Sequence, residues 1–121
     1  MTPFGAKIRE LRSARGITLK GMAEDLGVSP SYLSALEHGH RGRPTWSMIQ
    51  RIIGYFNVIW DDAEELARLA QISHPKVTID TAGLDPRATE LANLLSETIA
   101  DLDRATLDRL IADLQGVRTP E

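Results

Sequence analysis

The chain is predicted to be all-α, on three observations. Apolar residues recur at i, i+3/i+4 and i+7 in segment after segment. Most of these segments open on Ser, Thr or Asp and close on Gly or Asn. Alternation of the kind a strand needs is confined to a few residues around Val77 and Ile79. The expected organisation is five short helices in residues 1–73, a linker over 74–83, a C-terminal helical segment over 84–116 and a tail, 117–121.

The first helix is set by Phe4, Ile8 and Leu11 and ends at Gly16. Thr18 caps the second, whose inner face is Met22, Ala23 and Leu26; Ile17 and Met22 occupy the positions of a hydrophobic staple, and Gly27 stops it. Ser29-Pro30 starts the third with a side-chain acceptor followed by a proline that fits the first helical turn. Leu33 and Leu36 face inward there, and Gly39 ends the segment. Thr45 caps the fourth, striped by Ile49, Ile52, Ile53 and Phe56 and closed by Asn57. The fifth begins near Trp60, with Asp61, Asp62, Glu64 and Glu65 complementing the positive end of its dipole. Trp46 and Trp60 are expected to anchor the core or an interface.

His74 to Gly83 breaks the pattern and is read as a short strand or an extended linker. Asp85-Pro86 repeats the cap-plus-proline signal, and Leu91, Leu94, Leu95, Ile99 and Leu102 then trace a single stripe. Asp103 caps a last helix bearing Leu107, Leu110, Ile111 and Leu114, ended by Gly116. A long apolar face does not stay bare on a soluble monomer, so these nine residues are expected to form the dimerisation element, with folding back onto the first domain as the competing reading.

Composition narrows the function. At 121 residues, 42% hydrophobic and 26% charged, the chain suits one domain plus an appendage. The absence of cysteine excludes disulfides, thiolate catalysis and Cys-ligated zinc. No apolar stretch approaches the roughly 20 residues of a membrane span, and Met1–Phe4 does not open a basic-then-apolar export signal. A cytoplasmic location is expected, nucleoid-associated when bound. Residues 1–60 hold eight Lys/Arg against four Asp/Glu, net +4, whereas residues 61–121 hold six against thirteen, net −7. A basic half joined to an acidic half suggests a polyanion for the first and another task for the second.

The most informative stretch is Leu19–Leu36. Counting Leu19 as the first position of a twenty-residue unit, Ala23 is fifth, Gly27 ninth, Leu33 fifteenth and Leu36 eighteenth. A small residue permits a close helix crossing, a glycine permits a left-handed turn, and two leucines lock the second helix on the first. That pattern is a helix-turn-helix, with Ser31, Tyr32 and Ala35 on the outward face.

The wider block Arg12–Pro44, with S-Y-L-S-A-L-E-H-G followed by Arg41-Gly42-Arg43-Pro44, resembles the lambda-repressor/Cro-like (XRE) family over roughly residues 4–70. The resemblance implies a five-helix lambda-repressor-like DNA-binding domain whose recognition helix, 29–38, enters the major groove. It implies that Ser31, Tyr32 and Ala35 face base edges, with Ser34 beside them near the phosphates. It also implies that Arg12 and Glu37 brace the first helix against the third, and that the loop His38–Arg43 grips the sugar-phosphate chain. Leu19 replaces the family's usual phosphate-binding Gln, and Gly21 replaces the Glu of a capping box.

The expected DNA-binding set is Lys20, Ser29, Ser31, Tyr32, Ser34, Ala35, His38, His40, Arg41 and Arg43. Arginines and lysines that neutralise phosphates release counterions and supply most of the affinity. The recognition helix has none of the Arg, Lys, Asn or Gln side chains that read bases well. Sequence choice is therefore expected to rest on serine hydroxyls, contacts with thymine methyl groups and DNA shape. His38-Gly39-His40 makes a poor metal site, and no cofactor is expected. No nucleophile sits beside a base and no glycine-rich phosphate loop is present, so the chain is not read as an enzyme. The expectation is a regulator of transcription, a repressor that binds a palindromic operator in double-stranded DNA as a homodimer. The alternative is an antitoxin or adaptor whose acidic C-terminal half captures a protein partner. A small-molecule sensor would need a pocket that about forty residues of amphipathic helix scarcely supply.

Overall fold

A computed structural model describes residues 1–40 and 44–118. It is helical, with no strand among the described residues. The chain divides into two units, Met1–Val77 and the segment from Thr78 onward. In the first, α1 spans Pro3–Ala14, α2 Leu19–Leu26, α3 Pro30–His38, α4 Trp46–Phe56 and α5 Asp61–Gln71.

Side-chain caps decide where most of these helices begin. The hydroxyls of Thr2, Thr18, Ser29 and Thr45 each accept a hydrogen bond from the backbone N–H three residues on. Gly27 (φ 72°) and Gly39 (φ 82°) end α2 and α3 in the left-handed region, where a Cβ is disfavoured. At Gly39 a Cβ would in addition come within 2.6 Å of the Thr2 methyl.

One core fills the unit. Phe4 and Ile8 of α1, Met22, Ala23 and Leu26 of α2, and Leu33 and Leu36 of α3 meet Met48, Ile49, Ile52 and Phe56 of α4 and Leu66 and Ala70 of α5. Gly5 sits inside α1 because that helix crosses α3 at backbone contact: a Cβ there would lie 1.8 Å from the Glu37 carbonyl oxygen. Ser73 closes the unit, its hydroxyl accepting from the Phe4 N–H at 2.8 Å and donating to the Leu69 carbonyl.

Trp46 and Trp60 are not core residues, being 69% and 82% exposed. Trp46 falls roughly a quarter-turn off the buried α4 stripe. Trp60 precedes α5 with φ 56°, an unusual conformation for a bulky residue, which turns its ring outward.

In the second unit, α6 spans Pro86–Thr98, a single 3-10 turn covers Ile99–Asp101, and α7 spans Arg104–Arg118. Asp85 caps α6 and Asp103 caps α7, each carboxylate accepting a backbone N–H at 2.8 Å. Two expectations are corrected here. The stripe from Leu91 to Leu102 is not one helix: the Thr98 hydroxyl donates to the Leu94 carbonyl, α6 ends there, and Leu102 is extended. Nor does Gly116 end the last helix, since α7 passes through it to Arg118; an isolated glycine lowers helix propensity by about 1 kcal/mol without forbidding it. Residues 74–83 are irregular and form no strand.

Candidate nucleic-acid interface

The two-helix unit is held by α2 packing on α3 and by α1 packing behind α3. Its main electrostatic tie is the bidentate pair between Arg12 and Glu37. Arg12 Nε donates to Glu37 Oε2 at 3.1 Å and Nη2 donates to Oε1 at 3.2 Å. The third guanidinium nitrogen donates to the Ile17 carbonyl at 3.3 Å, which fixes the α1–α2 turn as well. Both side chains are largely out of water, 11% and 4% exposed. Two in-plane hydrogen bonds give the paired charges the geometry that burial requires.

Around that brace, α3 presents a graded surface. Ser29, Ser31 and His38 are exposed, whereas Ser34 and Ala35 are half-buried. Tyr32 departs from the outward face expected of it: it is half-buried and packs against the core. Leu33 and Leu36 face inward, and a large ring one residue before Leu33 lies partly over the same surface. His38 Nδ1 lies 2.9 Å from the Ser34 carbonyl, so this nitrogen holds the proton and Nε2 points away from the bond. The His38 and His40 rings stand 6.0 Å apart at the end of α3. Lys20 is exposed at the start of α2. Arg41 and Arg43 lie outside the described residues.

Several positioning residues escaped the sequence reading. The Thr2 N–H donates to the Glu37 carbonyl at 3.2 Å while its hydroxyl caps α1, so the start of α1 is tied to the end of α3. Thr2-Pro3 carries the same cap-plus-proline signal as Ser29-Pro30 and was legible by that rule. Gly5, a lone glycine in an amphipathic segment, was the sign of a close helix crossing. Arg51 of α4 donates to the Leu26 carbonyl at the end of α2, and the Tyr55 hydroxyl donates to Asp25 at 2.8 Å. Burial raises the Tyr55 pKa, and the neighbouring Asp25 carboxylate raises it further. The Arg15 guanidinium sits over the Phe56 ring, 5.4 Å from its centre.

Two short helices crossing at a left-handed glycine, with the second open to solvent on one side, define a helix-turn-helix module. A family model described as a helix-turn-helix domain matches residues 3–63, and the chain belongs to that family as an XRE-like member. The domain is a DNA-binding module and not an enzyme. RghRB of Bacillus subtilis, an uncharacterized HTH-type transcriptional regulator, is 36% identical over 62 residues, 51% of this chain and 45% of that protein. RamB of Mycobacterium tuberculosis, an HTH-type transcriptional regulator, is 33% identical over 101 residues, 78% of this chain and 20% of that protein. YazB of B. subtilis, another uncharacterized HTH-type transcriptional regulator, is 38% identical over 64 residues, 53% of this chain and 87% of that protein. The chain thus spans less than half the length of RghRB and RamB. No solved structure matches it significantly. Among the described residues, no helix is long and apolar enough to cross a membrane.

Proposed function

We propose that this chain regulates transcription by laying α3 in the major groove of double-stranded DNA. One observation carries the reading. The only carboxylate in α3, Glu37, is turned inward and paired with Arg12, so the exposed side of the helix offers hydroxyls and imidazoles and no negative charge to a polyanion. Ser31 approaches base edges and Ala35 meets thymine methyl groups, with Ser34 beside them near the phosphates. Tyr32, half-buried, contacts DNA with its ring edge while steadying the helix. Lys20, Ser29, His38, His40, Arg41 and Arg43 bind the phosphate backbone on either side.

The regulator acts as a homodimer on a palindromic operator, because a single module reads only a half-site and paired half-sites lie about 34 Å apart. Residues 84–116 join the two copies, and occupancy of the operator represses transcription by excluding polymerase. The protein works in the cytoplasm, on the nucleoid. A second reading draws on the acidic second unit, whose apolar side chains are nowhere fully buried among the described residues: an antitoxin or adaptor that captures a protein there and uses DNA binding for autoregulation.

Selection of bound duplexes from random DNA at two salt concentrations tests the proposal. An inverted repeat with half-sites one helical turn apart is expected. Arg43→Ala should weaken binding to every sequence alike and lower the slope of log affinity on log salt by about one. Failure to retain any duplex in dilute salt overturns the reading.

A further inference from the structure

Lys76 is, we infer, a further phosphate-binding residue of the DNA interface, carried to the end of α3 by the stretch that leaves α5. The inference deepens the DNA-binding reading above and rests on it. It adds to the backbone grip a contact from beyond the family match at residues 3–63.

Sequence and packing place Lys76 differently. By sequence it is the only lysine of the acidic half, residues 61–121. By packing it belongs to the first unit, Met1–Val77. The chain leaves α5 and returns to the start of α1, where Ser73, 2% exposed, is fixed by its bonds to Phe4 and Leu69. Two residues on, Pro75 reaches the turn that ends α3. A Cβ at Gly39 would lie 3.4 Å from Pro75 Cγ and 3.5 Å from Pro75 Cβ, with the Thr2 methyl also against it. His40, which opens the stretch assigned to the phosphates, follows Gly39 directly, and Lys76 follows Pro75 directly. Each of these two side chains is thus one residue from the Gly39–Pro75 contact.

Three properties fit Lys76 to a phosphate. Its backbone is held, because the Lys76 N–H donates to His74 Nδ1 at 3.2 Å and closes the turn around Pro75. Binding there orders less chain than binding by a free linker would. Its charge is available. Arg68, Arg87 and Arg104 each pair with a carboxylate on their own helix, whereas Lys76 is exposed and has no ion pair among the described residues. Its surroundings do not oppose an anion: the end of α3 carries the His38 and His40 rings, and the Glu37 carboxylate is neutralised by Arg12. A flexible stem ending in a compact ammonium meets a phosphate as a point charge.

The test uses the full chain. Fluorescence anisotropy gives affinity over a range of salt, for a short duplex of random sequence and for one recovered by selection. The variants are Lys76→Ala, Lys76→Arg and Arg109→Ala, the last removing the same charge from an exposed position in the second unit. Lys76→Ala should lower the slope of log affinity on log salt by about 0.9 for each bound chain. Its deficit should then shrink about 3.5-fold per chain between about 50 and 200 mM salt. Both duplexes should lose alike, since a phosphate contact carries no sequence information. Lys76→Arg should restore the slope, and Arg109→Ala should keep it. A parental slope in Lys76→Ala would overturn the inference while leaving the DNA-binding reading intact. An equal fall in Arg109→Ala would also overturn it, by reducing the effect to net charge. Should the natural chain hold neither duplex in dilute salt, the inference falls together with the reading beneath it.

Discussion

The two units of this chain use the same vocabulary of caps and leucines and reach opposite degrees of burial. In Met1–Val77, five helices enclose thirteen apolar residues and bury an ion pair beside them. From Thr78 onward, two longer helices leave every described side chain at least partly open to water. Local signals were equally good in both: Ser29-Pro30 and Asp85-Pro86 each start a helix as written. Where a helix begins is therefore signalled locally, but its stability and burial depend on how many helices a chain brings to one place. Five suffice to surround a core; two have another side to cover.

The strongest way to break this contrast is to spoil the first unit from within. Glu37→Ala leaves the Arg12 guanidinium nearly buried without its carboxylate, and should lower stability by about 3–5 kcal/mol, read as a reduced urea midpoint. Replacing both partners by methionine should recover much of the loss, because the cost lies in the orphaned charge. Gly5→Ala comes next. Its new methyl meets the Glu37 carbonyl, part of the backbone, and the helices must separate, at a cost of about 3 kcal/mol. The same denaturation experiment, with duplex binding measured alongside, should show α3 losing its DNA affinity at denaturant concentrations the parent tolerates.

The smallest effect belongs to the second unit and sharpens the contrast by pH. Hydrogen bonds from Thr106 to Asp103, which caps α7, hold that carboxyl below its usual pKa. A depressed pKa means that the cap stabilises the fold above the ordinary carboxylate range, and that this contribution disappears as pH falls through the lower folded value. Amide exchange of α7 should accelerate on acidification below about pH 4 before that of α2 or α3, whose caps are hydroxyls and do not titrate there. Equal acceleration in all three helices would contradict it.

Much of the first unit was legible because its signals are local. Met22, Ala23, Leu26, Leu33 and Leu36 could be assigned inward by period alone, and all are buried. The pairing of Arg12 with Glu37 came from family resemblance, since a contact across 25 residues leaves no trace in spacing. Tyr32 was misjudged in part because helical period gives direction, while burial also depends on ring size and on what the neighbouring helices leave uncovered. Of the two places expected for Trp46 and Trp60, the core is excluded, because one sits beside the apolar stripe and the other on a residue of positive φ. In the second unit the period ran on through Thr98, whose hydroxyl competes for the backbone in a way that no hydrophobic pattern records.

The link between Thr2 and the Glu37 carbonyl has a practical consequence. A substitution that displaced Thr2 would remove the cap of α1 and a donor to the last turn of α3 in one stroke. It would thus loosen, from behind, a surface that lies more than thirty positions away in the chain.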